Sequence, residues 1–308
     1  FKGGTVAKRF FTIVNPAAGG GRCGKLAPTA LDRVRAAGIE VEAVETRAAG
    51  DATALARAAQ RAGERDFLAV GGDGTSFEIV NGIFPQATGD RCTLAFLPLG
   101  TGNSFLRDFH AQKPANGADA FVQTILSGEK RACDVIRLQH YTGELYYINL
   151  LTLGFAADAA EFANRHLKSF GYTGYAFSVL ACLARLDRRV FPLRADNAAE
   201  FDRRRCLFLA FSNTKFTGGN MMIAPNADSF DGLIEYVRWG PIGRLGLLRN
   251  FPTLFDGTHI RHPMASRAAV REVEFALDEP VSVMVDGESL RLKCERLSIL
   301  PGALDVIV

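Results

Sequence analysis

One five-residue stretch carries residue types suited to binding phosphate groups: Gly71-Gly72-Asp73-Gly74-Thr75. It follows a strand-like run and precedes a helix-like one, so its backbone N–H groups and the N-terminus of the next helix can together bind an anion. Its glycines allow close approach of a ligand to the backbone. An aspartate among phosphates is repulsive unless a cation accompanies it. Asp73 therefore indicates Mg²⁺ or a direct part in phosphate chemistry.

Two further loops of small residues hold equivalent places along the chain. The first predicted strand is followed by Asn15-Pro16-Ala17-Ala18-Gly19-Gly20-Gly21, and the fourth by Pro98-Leu99-Gly100-Thr101-Gly102-Asn103. In open parallel sheets, ligands bind beyond the carboxyl ends of the strands. We therefore expect the three loops to line one shared cleft.

Two familiar nucleotide-binding patterns are incomplete in this chain. The stretch from Gly19 to Lys25 fits the start of a P-loop, but Leu26 stands where a hydroxyl group should reach Mg²⁺. No G-x-G-x-x-G follows a predicted strand with an acidic residue about 20 positions later. The sequence thus disfavours both a P-loop enzyme and a dinucleotide-dependent dehydrogenase.

The second half of the chain contains two acidic turns. One predicted strand is preceded by Asp228-Ser229-Phe230-Asp231-Gly232-Leu233, and another is followed by Asp286-Gly287-Glu288. Asp-Gly is a common hairpin turn, so either could be a turn with no further role. Because Asp286 and Glu288 flank a glycine, we expect both carboxylates on one exposed turn. A carboxylate there can accept a proton from a hydroxyl group or hold a cation.

The predicted helices and strands that must position these residues follow two different patterns along the chain. The first part alternates strands and helices, which favours a largely parallel sheet. Its predicted strands are Arg9–Val14, Ile39–Val44, Phe67–Val70 and Leu94–Leu97. Its predicted helices are one from about Pro28 to Gly38, one capped by Asp51 and ending near Gly63, and one over Ser76–Ile83.

From about Cys133 the pattern becomes that of antiparallel strands separated by turns. The predicted strands are Val135–Leu138, Tyr146–Leu150, Leu207–Phe211, Leu233–Val237, Val281–Val285 and Leu297–Leu300, with helices at Gly174–Leu186 and Ile242–Phe255. We predict an α/β domain at residues 1–131, with an open, mostly parallel sheet and flanking helices. A β-sandwich-like domain follows at residues 132–308, with a cleft between the domains and the last strand returning toward the first.

The composition limits the classes of protein to which this chain can belong. The 308 residues are 48% hydrophobic and 22% charged, as in a globular protein. The net charge of +3 is too small to indicate nucleic-acid binding. The six cysteines are scattered, and the five histidines lack metal-binding spacing, which favours reduced thiols in the cytosol over disulfides or zinc. No apolar run approaches the roughly 20 residues that span a bilayer. We therefore expect a cytoplasmic protein.

The three loops and two acidic turns, in this order, resemble the diacylglycerol kinase catalytic-domain superfamily, which includes bacterial diacylglycerol-type lipid kinases, sphingosine kinases and ceramide kinases. The resemblance covers nearly the whole chain. It also takes in Thr46 before Gly50-Asp51-Ala52, Gly154-Phe155, Gly218-Gly219 and Ala224-Pro225. The G-G-D-G-T element is shared with NAD kinases, whereas the later glycine and acidic positions favour the lipid branch.

This resemblance implies an ATP-dependent kinase acting on a hydroxyl group of a neutral, diacylglycerol-like lipid. The positions implied to contact ATP are Asn15, Pro16, Ala17, Ala18, Gly19, Thr46, Gly71, Gly72, Asp73, Gly74, Thr75, Glu78, Gly100, Thr101 and Asn103. A structural Mg²⁺ site would use the carbonyls of Asp228 and Leu233 and the side chain of Asp231. Glu288 would match the catalytic base, with Asp286 beside it and Asp73 serving the phosphate–metal chemistry.

The sequence leaves the substrate and the assembly open. Many bacterial diacylglycerol-type members have Asp where this chain has Ser104, and this departure, with 23 Phe residues, keeps a ceramide or sphingoid-base kinase as an alternative. An NAD kinase-like enzyme and a non-catalytic nucleotide-binding regulator stay open as well. The oligomeric state is open, with a homodimer as one alternative.

A lipid substrate implies peripheral contact with a membrane. One candidate membrane-facing helix is formed by Phe170, Tyr172, Tyr175, Phe177, Val179, Leu180 and Leu183, followed by Arg185, Arg188 and Arg189. Residues 245–255 are a second candidate. For both, a core helix with basic residues at its end is the alternative interpretation.

Overall fold

A computed structural model describes residues 8–84, 91–109, 118–158, 186–218 and 220–308. The chain forms two compact units, one of Phe1–Cys133 with Ala303–Val308 and one of Asp134–Gly302. The sequence-based domain boundary, after residue 131, lies close to this division. The candidate membrane helix of residues 170–185 and the second glycine of Gly218-Gly219 lie outside the described residues.

The first unit contains a parallel sheet with helices. Its strands are β1 (Arg9–Val14), β2 (Glu40–Glu45), β3 (Asp66–Gly71) and β4 (Thr93–Pro98), and its helices are α1 (Arg22–Ala36), α2 (Asp51–Arg61), α3 (Asp73–Ile83) and α4 (Ala118–Ser127). The strand order is β2-β1-β3-β4, and residues 305–307 of the C-terminal strand pair in parallel with β4. The predicted mostly parallel sheet is confirmed.

Helix α1 begins earlier than the sequence predicts. It starts at Arg22 rather than near Pro28, directly after Gly21, which has a positive φ of 87°. Proline is favoured at the first position of a helix, which is why the sequence suggested a start at Pro28. Pro28 instead lies inside α1, and Leu31 and Val34 pack in the core of the first unit as predicted.

The loop before α2 is fixed from two sides. Asp51 was predicted to cap α2, but its carboxylate accepts N–H groups of the preceding loop, from Arg47 at 2.7 Å and Ala48 at 3.0 Å. The cap of α2 comes from α3: the two carboxylate oxygens of Glu78 accept the N–H groups of Gly50 and Ala52, at 2.9 and 3.0 Å. Because the partner lies in another helix, sequence spacing alone could not show it.

The second unit is built from antiparallel strands. In chain order they are β5 (Arg131–His140), β6 (Gly143–Tyr147), β7 (Leu150–Gly154), β8 (Arg189–Val190), β9 (Leu193–Ala195), β10 (Arg205–Cys206), β11 (Phe208–Ser212), β12 (Phe216–Thr217), β13 (Met221–Met222), β14 (Ile234–Trp239), β15 (Ala265–Val270), β16 (Glu272–Phe275), β17 (Val281–Val285), β18 (Glu288–Leu292) and β19 (Cys294–Ile307). Strands β5 and β19 run on into the first unit.

The strands of this unit form a sandwich-like pair of sheets, which confirms the predicted class. One sheet has six strands in the order β15-β14-β11-β7-β17-β18. In the other, β16 pairs with both β19 and β9. The rings of Phe211 on β11 and Phe275 on β16 meet edge to face at 5.4 Å, so apolar side chains join the two sheets.

Two predicted elements of the second unit are divided in the structure. The run Tyr146–Leu150 belongs to two strands, because β6 ends at Tyr147 and β7 begins at Leu150. The helix predicted over Ile242–Phe255 is two short helices, α5 (Arg244–Asn250) and α6 (Thr253–Asp256). Pro252 lies between them, and a proline lacks the N–H group that would continue α5.

Candidate active site

The three small-residue loops of the first unit lie together at the carboxyl edge of its sheet. The N–H groups of Leu99 and Gly100 both donate to the carbonyl of Gly71, at 2.9 and 2.7 Å, and the N–H group of Asn15 donates to the carbonyl of Val70 at 2.9 Å. The order β2-β1-β3-β4 places the loops after β1 and β3 side by side where the strand order reverses. In open sheets, this position is where ligands bind.

Two of the loops touch backbone to backbone. A Cβ atom added to Gly100 would lie 2.6 Å from the Cα and 2.9 Å from the N of Gly72. Only a residue without a side chain fits at such a distance. The glycine of the fourth-strand loop is thus required by its contact with the Gly71–Thr75 turn.

The loop after β1 is joined to the other two by side chains. The amide of Asn15 donates to the hydroxyl of Thr75 at 3.2 Å, and its carbonyl oxygen accepts the N–H group of Ala17 at 3.2 Å. Arg22, which no sequence signal singled out, donates to the carbonyl of Gly100 at 2.5 Å and to that of Leu99 at 3.3 Å. Its guanidinium therefore adds a positive charge beside the loops.

Asp73 faces the fourth-strand loop. Its half-buried carboxylate accepts the N–H groups of Ser104 at 2.9 Å and Phe105 at 3.4 Å. Burial raises the pKa of Asp73, while those hydrogen bonds and the charge of Arg107 act in the opposite direction. A carboxylate kept partly desolvated beside phosphate-type loops is suited to the chemistry predicted for it.

The other predicted nucleotide contacts lie on the same loops or just beside them. The N–H group of Thr46 donates to the carbonyl of Val14 at 2.9 Å, which holds the loop after β2 against the end of β1. Asn103 has a positive φ of 47°, and its amide donates to the carbonyl of Gly100 at 3.2 Å. Thr101 is exposed.

The carboxylate of Glu78 is engaged by α2, so a direct contact between Glu78 and ATP stays a prediction. The remaining positions of the set, in the turn after β1 and at the start of α3, are Pro16, Ala17, Ala18, Gly19 and Gly74.

Replacing Gly100 by alanine tests the packing of the loops. Because the new Cβ would meet main-chain atoms that have no alternative rotamer, we expect Gly100→Ala to separate the two loops. The expected result is a loss of about 1–3 kcal/mol in the free energy of unfolding and a weaker affinity for ATP, by at least about tenfold. Thermal denaturation and ATP titration calorimetry measure both.

The control for this variant is Gly243→Ala. A Cβ at Gly243 meets nothing within 4 Å, and its φ of −76° suits any residue, so this variant shows only the cost of losing a glycine at the N-cap of α5. Unchanged melting temperature and ATP affinity in Gly100→Ala would contradict the close approach of the loops.

In the second unit, the acidic turn before β14 is held by a buried aspartate. The carboxylate of Asp134 is 2% exposed and accepts the N–H groups of Gly232 and Gly302, both at 2.7 Å. Within the turn, Asp231 accepts the N–H group of Leu233 at 2.9 Å. Burial raises the pKa of Asp134, the hydrogen bonds from Gly302 and Gly232 act in the opposite direction, and the charges of Asp231 and Asp228 add to the rise. Three carboxylates therefore repel one another here, which a bound cation would relieve.

The donors of this turn fit a hard cation. Carbonyl and carboxylate oxygens are the ligands that Mg²⁺ and Ca²⁺ prefer, and the predicted set is the carbonyls of Asp228 and Leu233 with the carboxylate of Asp231. Within the described part of the chain, no three His, Cys, Asp or Glu side chains are grouped to hold a metal ion by themselves. A cation at this turn would thus depend on main-chain oxygens, and the site stays a prediction.

The second acidic turn separates its two carboxylates. Glu288 is exposed, as predicted, but the prediction of an exposed Asp286 is wrong: Asp286 is 3% exposed. Its carboxylate accepts three N–H groups where β6 passes into β7: those of Ile148 at 3.1 Å, Asn149 at 3.1 Å and Leu150 at 2.9 Å. Asp286 therefore fixes the position of the turn that presents Glu288.

Asp286→Asn tests this structural role. Asn tolerates the positive φ of 47° at this position, so the backbone can stay as it is. The amide replaces one acceptor oxygen by an NH₂ group facing N–H donors. We expect the free energy of unfolding to fall by about 2–3 kcal/mol in chemical denaturation. The exposed Asp278→Asn is the control, and equal stability of the two variants would contradict the role.

A buried polar network underlies both acidic turns of the second unit. The side-chain amide of Asn213 donates to the carbonyls of Asp134 at 2.8 Å and Ile148 at 3.0 Å. The main-chain carbonyl of Asn213 accepts the hydroxyl of Ser229 at 2.9 Å. Asn149 accepts the hydroxyl of Thr214. These residues were missed in the sequence, although a lone acid in the apolar run Cys133–Ile136 is a signal that could have found Asp134.

An α/β unit carrying phosphate-type glycine loops, followed by an antiparallel sandwich with acidic turns, defines a class of kinases rather than of dehydrogenases or P-loop enzymes. Two family models match the chain. The model of the diacylglycerol kinase catalytic domain matches residues 9–138, and that of the YegS C-terminal NAD kinase beta sandwich-like domain matches residues 149–308. The chain belongs to the diacylglycerol kinase and YegS-like lipid kinase family.

Individual relatives agree with this assignment. A diacylglycerol kinase of Mycobacterium tuberculosis is 30% identical over 296 residues, covering 96% of this chain and 93% of its own length. A probable lipid kinase YegS-like protein of Chromohalobacter salexigens is 30% identical over 276 residues, covering 89% and 86%.

Solved structures show the same fold. A crystal structure from Bacillus anthracis gives a TM-score of 0.78 at 23% identity, covering 99% of this chain and 97% of that one. A diacylglycerol kinase structure from the same organism gives 0.70 at 20% identity, covering 98% and 97%. At these identities the likeness concerns the fold alone.

Proposed function

We propose that this protein is an ATP-dependent lipid kinase that transfers the γ-phosphate to a hydroxyl group of a neutral, diacylglycerol-like lipid. The observation that carries the proposal is the meeting of three small-residue loops at one sheet edge, with Asp73 beside them. Membership of the family supports a lipid kinase, and the loops support a nucleotide as phosphate donor.

In this proposal the first unit binds and orients ATP. The turn after β3 and the N-terminus of α3 offer backbone N–H groups to the phosphates, and Arg22 and the Asn15–Thr75 contact keep the neighbouring loops in place. Mg²⁺, when bound, neutralises charge on the transferring phosphate. Asp73 is the carboxylate that would hold it. Positioning and charge neutralisation are the main demands of phosphoryl transfer.

Glu288 is proposed as the base that accepts the proton of the attacking hydroxyl group. It lies on an exposed turn, so substrate can reach it, and Asp286 below it keeps the turn rigid. A base must lie within hydrogen-bond reach of the proton it removes. The acidic turn at Asp228–Leu233 is proposed as a structural Mg²⁺ site, since Asp134 holds it beneath and its oxygens suit that ion.

The identity of the acceptor is tested with radiolabelled ATP and Mg²⁺. The protein is incubated with mixed micelles of diacylglycerol, ceramide or sphingosine, and with NAD in detergent-free buffer, and the labelled product is identified. We expect label in phosphatidic acid. Label in a ceramide or sphingoid phosphate would favour the alternative connected with Ser104. Label only in NADP, or ATP binding without any transfer, would contradict the proposal.

A lipid acceptor brings the enzyme to a membrane surface, and we propose peripheral association from the cytoplasm. None of the helices in the described ranges is long and apolar enough to cross a bilayer. Peripheral contact of this kind uses exposed apolar and basic side chains.

A further inference from the structure

Helix α5 presents two leucines and two arginines on one outward face. Leu245 is 83% exposed and Leu248 is 45% exposed, and Arg244 and Arg249 are exposed as well. With about 100° of rotation per residue, the order around the helix is Arg244, Leu248, Leu245, Arg249, over about 140°. The apolar centre of this face is thus flanked by a positive charge on each side.

The opposite side of α5 is anchored in the core. Leu247 is 1% exposed and packs with Trp239, Ile242 and Leu254 in the apolar cluster of the second unit. Because this anchor already fixes the helix, the two outer leucines are not needed to hold it. Exposed leucines lower the solubility of a protein. Two of them side by side, next to arginines, therefore indicate a surface that binds a partner.

The basic apolar surface continues beyond the helix. A shallow groove beside α5 is lined by Leu186, Arg188, Gly243, Arg244, Leu245 and Gly246. The acidic neighbour Asp187 forms an ion pair with Arg189 at 3.2 Å, and Asp256 after α5 accepts the hydroxyl and N–H groups of Thr258. Among the described residues that line the groove, two are arginines and none is acidic.

We propose that this α5 face, with the adjoining groove, docks on the surface of an anionic phospholipid bilayer. Leu245 and Leu248 enter the boundary between head groups and acyl chains, and the flanking arginines extend to the lipid phosphates while their stems cover apolar surface. The inference deepens the proposed function, on which it rests, because a kinase acting on a membrane lipid must meet its substrate there. Charge complementarity selects a bilayer as the occupant.

Vesicle flotation tests the docking surface with the full chain. Vesicles of phosphatidylglycerol and phosphatidylcholine are compared with vesicles of phosphatidylcholine alone. We expect Leu245→Ser with Leu248→Ser to weaken binding to the anionic vesicles at least about tenfold. Arg244→Gln with Arg249→Gln should weaken it about 25-fold, from about 1 kcal/mol for each basic residue near an anionic surface.

The control is Tyr141→Ser, which removes an apolar side chain that is 75% exposed in the turn between β5 and β6. It should bind vesicles as the wild type does. Wild-type binding by both double variants would overturn the proposal. So would a wild-type dimer in sedimentation velocity that dissociates in the leucine variant, because the face would then serve self-association.

Kinase assays separate this inference from the proposed function. Turnover of diacylglycerol in anionic vesicles should fall in both double variants, whereas turnover of a dispersed short-chain diacylglycerol should not change. Vesicle binding that depends on the α5 face, without phosphorylation of any lipid, would support the docking surface and contradict the lipid kinase. Phosphorylation of vesicle lipid that both double variants retain would overturn the docking surface alone.

Discussion

Asp73→Asn is expected to lower kcat for lipid phosphorylation at least about a thousandfold while leaving the protein folded. The carboxylate lies at the point where the loops after β3 and β4 meet. A neutral amide there offers Mg²⁺ one oxygen without a negative charge, so it holds the ion at the phosphates much more weakly. Because burial raises the pKa of Asp73, the ionised carboxylate is less stable in the folded protein than in water. Removing the charge relieves this destabilisation, but an Asn amide that accepts the Ser104 N–H group turns its NH₂ group toward the Phe105 N–H group. We therefore expect the melting temperature to fall by no more than a few degrees.

The measurement is a steady-state kinase assay beside thermal denaturation and ATP titration calorimetry. Asp32→Asn is the matched control, since Asp32 is an exposed carboxylate on α1 of the same unit that pairs with Arg35 at 3.1 Å. A kcat of Asp73→Asn within tenfold of wild type would remove Asp73 from the chemistry. A large fall in melting temperature would instead assign the residue to the packing of the loops.

The fold of the first unit was readily predicted because its signals are local. Apolar runs such as Phe67–Val70 could be recognised one at a time, and glycine loops mark the strand ends. The start of α1 and the cap of α2 were less predictable. Pro28 resembles a first helical residue, and the cap of α2 comes from Glu78, a residue in another helix. Such tertiary partners leave no trace in local spacing.

The candidate site was predictable in its loops but not in its supports. Glycines and an aspartate at a strand end indicate phosphate chemistry by their types alone. Arg22, Asp134 and Asn149 act through contacts with residues far away in the chain, such as Gly100, Gly302 and Thr214. The D-G-E turn shows the same limit: period-two alternation could not tell that Asp286 faces the N–H groups before β7 while Glu288 faces outward.

Glu288→Gln is expected to lower kcat by about 10²–10⁴-fold, the usual contribution of a general base. Glutamine keeps the size and polarity of the side chain but cannot accept a proton from the attacking hydroxyl group. Since Glu288 is exposed, the melting temperature should not change. ATP affinity should not change either, because in the proposal Glu288 acts on the acceptor and not on the nucleotide.

The comparison of Glu288→Gln with Asp286→Asn separates a role in proton transfer from a role in holding the turn. The first should lose turnover at full stability, and the second should lose stability, with turnover falling only as far as the turn loosens. A pH–rate profile adds a readout that a structural role would not affect. Loss of the base should alter the acidic limb of kcat/KM in Glu288→Gln, where Asp73 remains, and leave the limb unaltered in Asp286→Asn. If Glu288→Gln keeps a kcat within tenfold of wild type and an unaltered acidic limb, the proton goes to another group. The exposed carboxylate would then be part of a hairpin turn without a catalytic role.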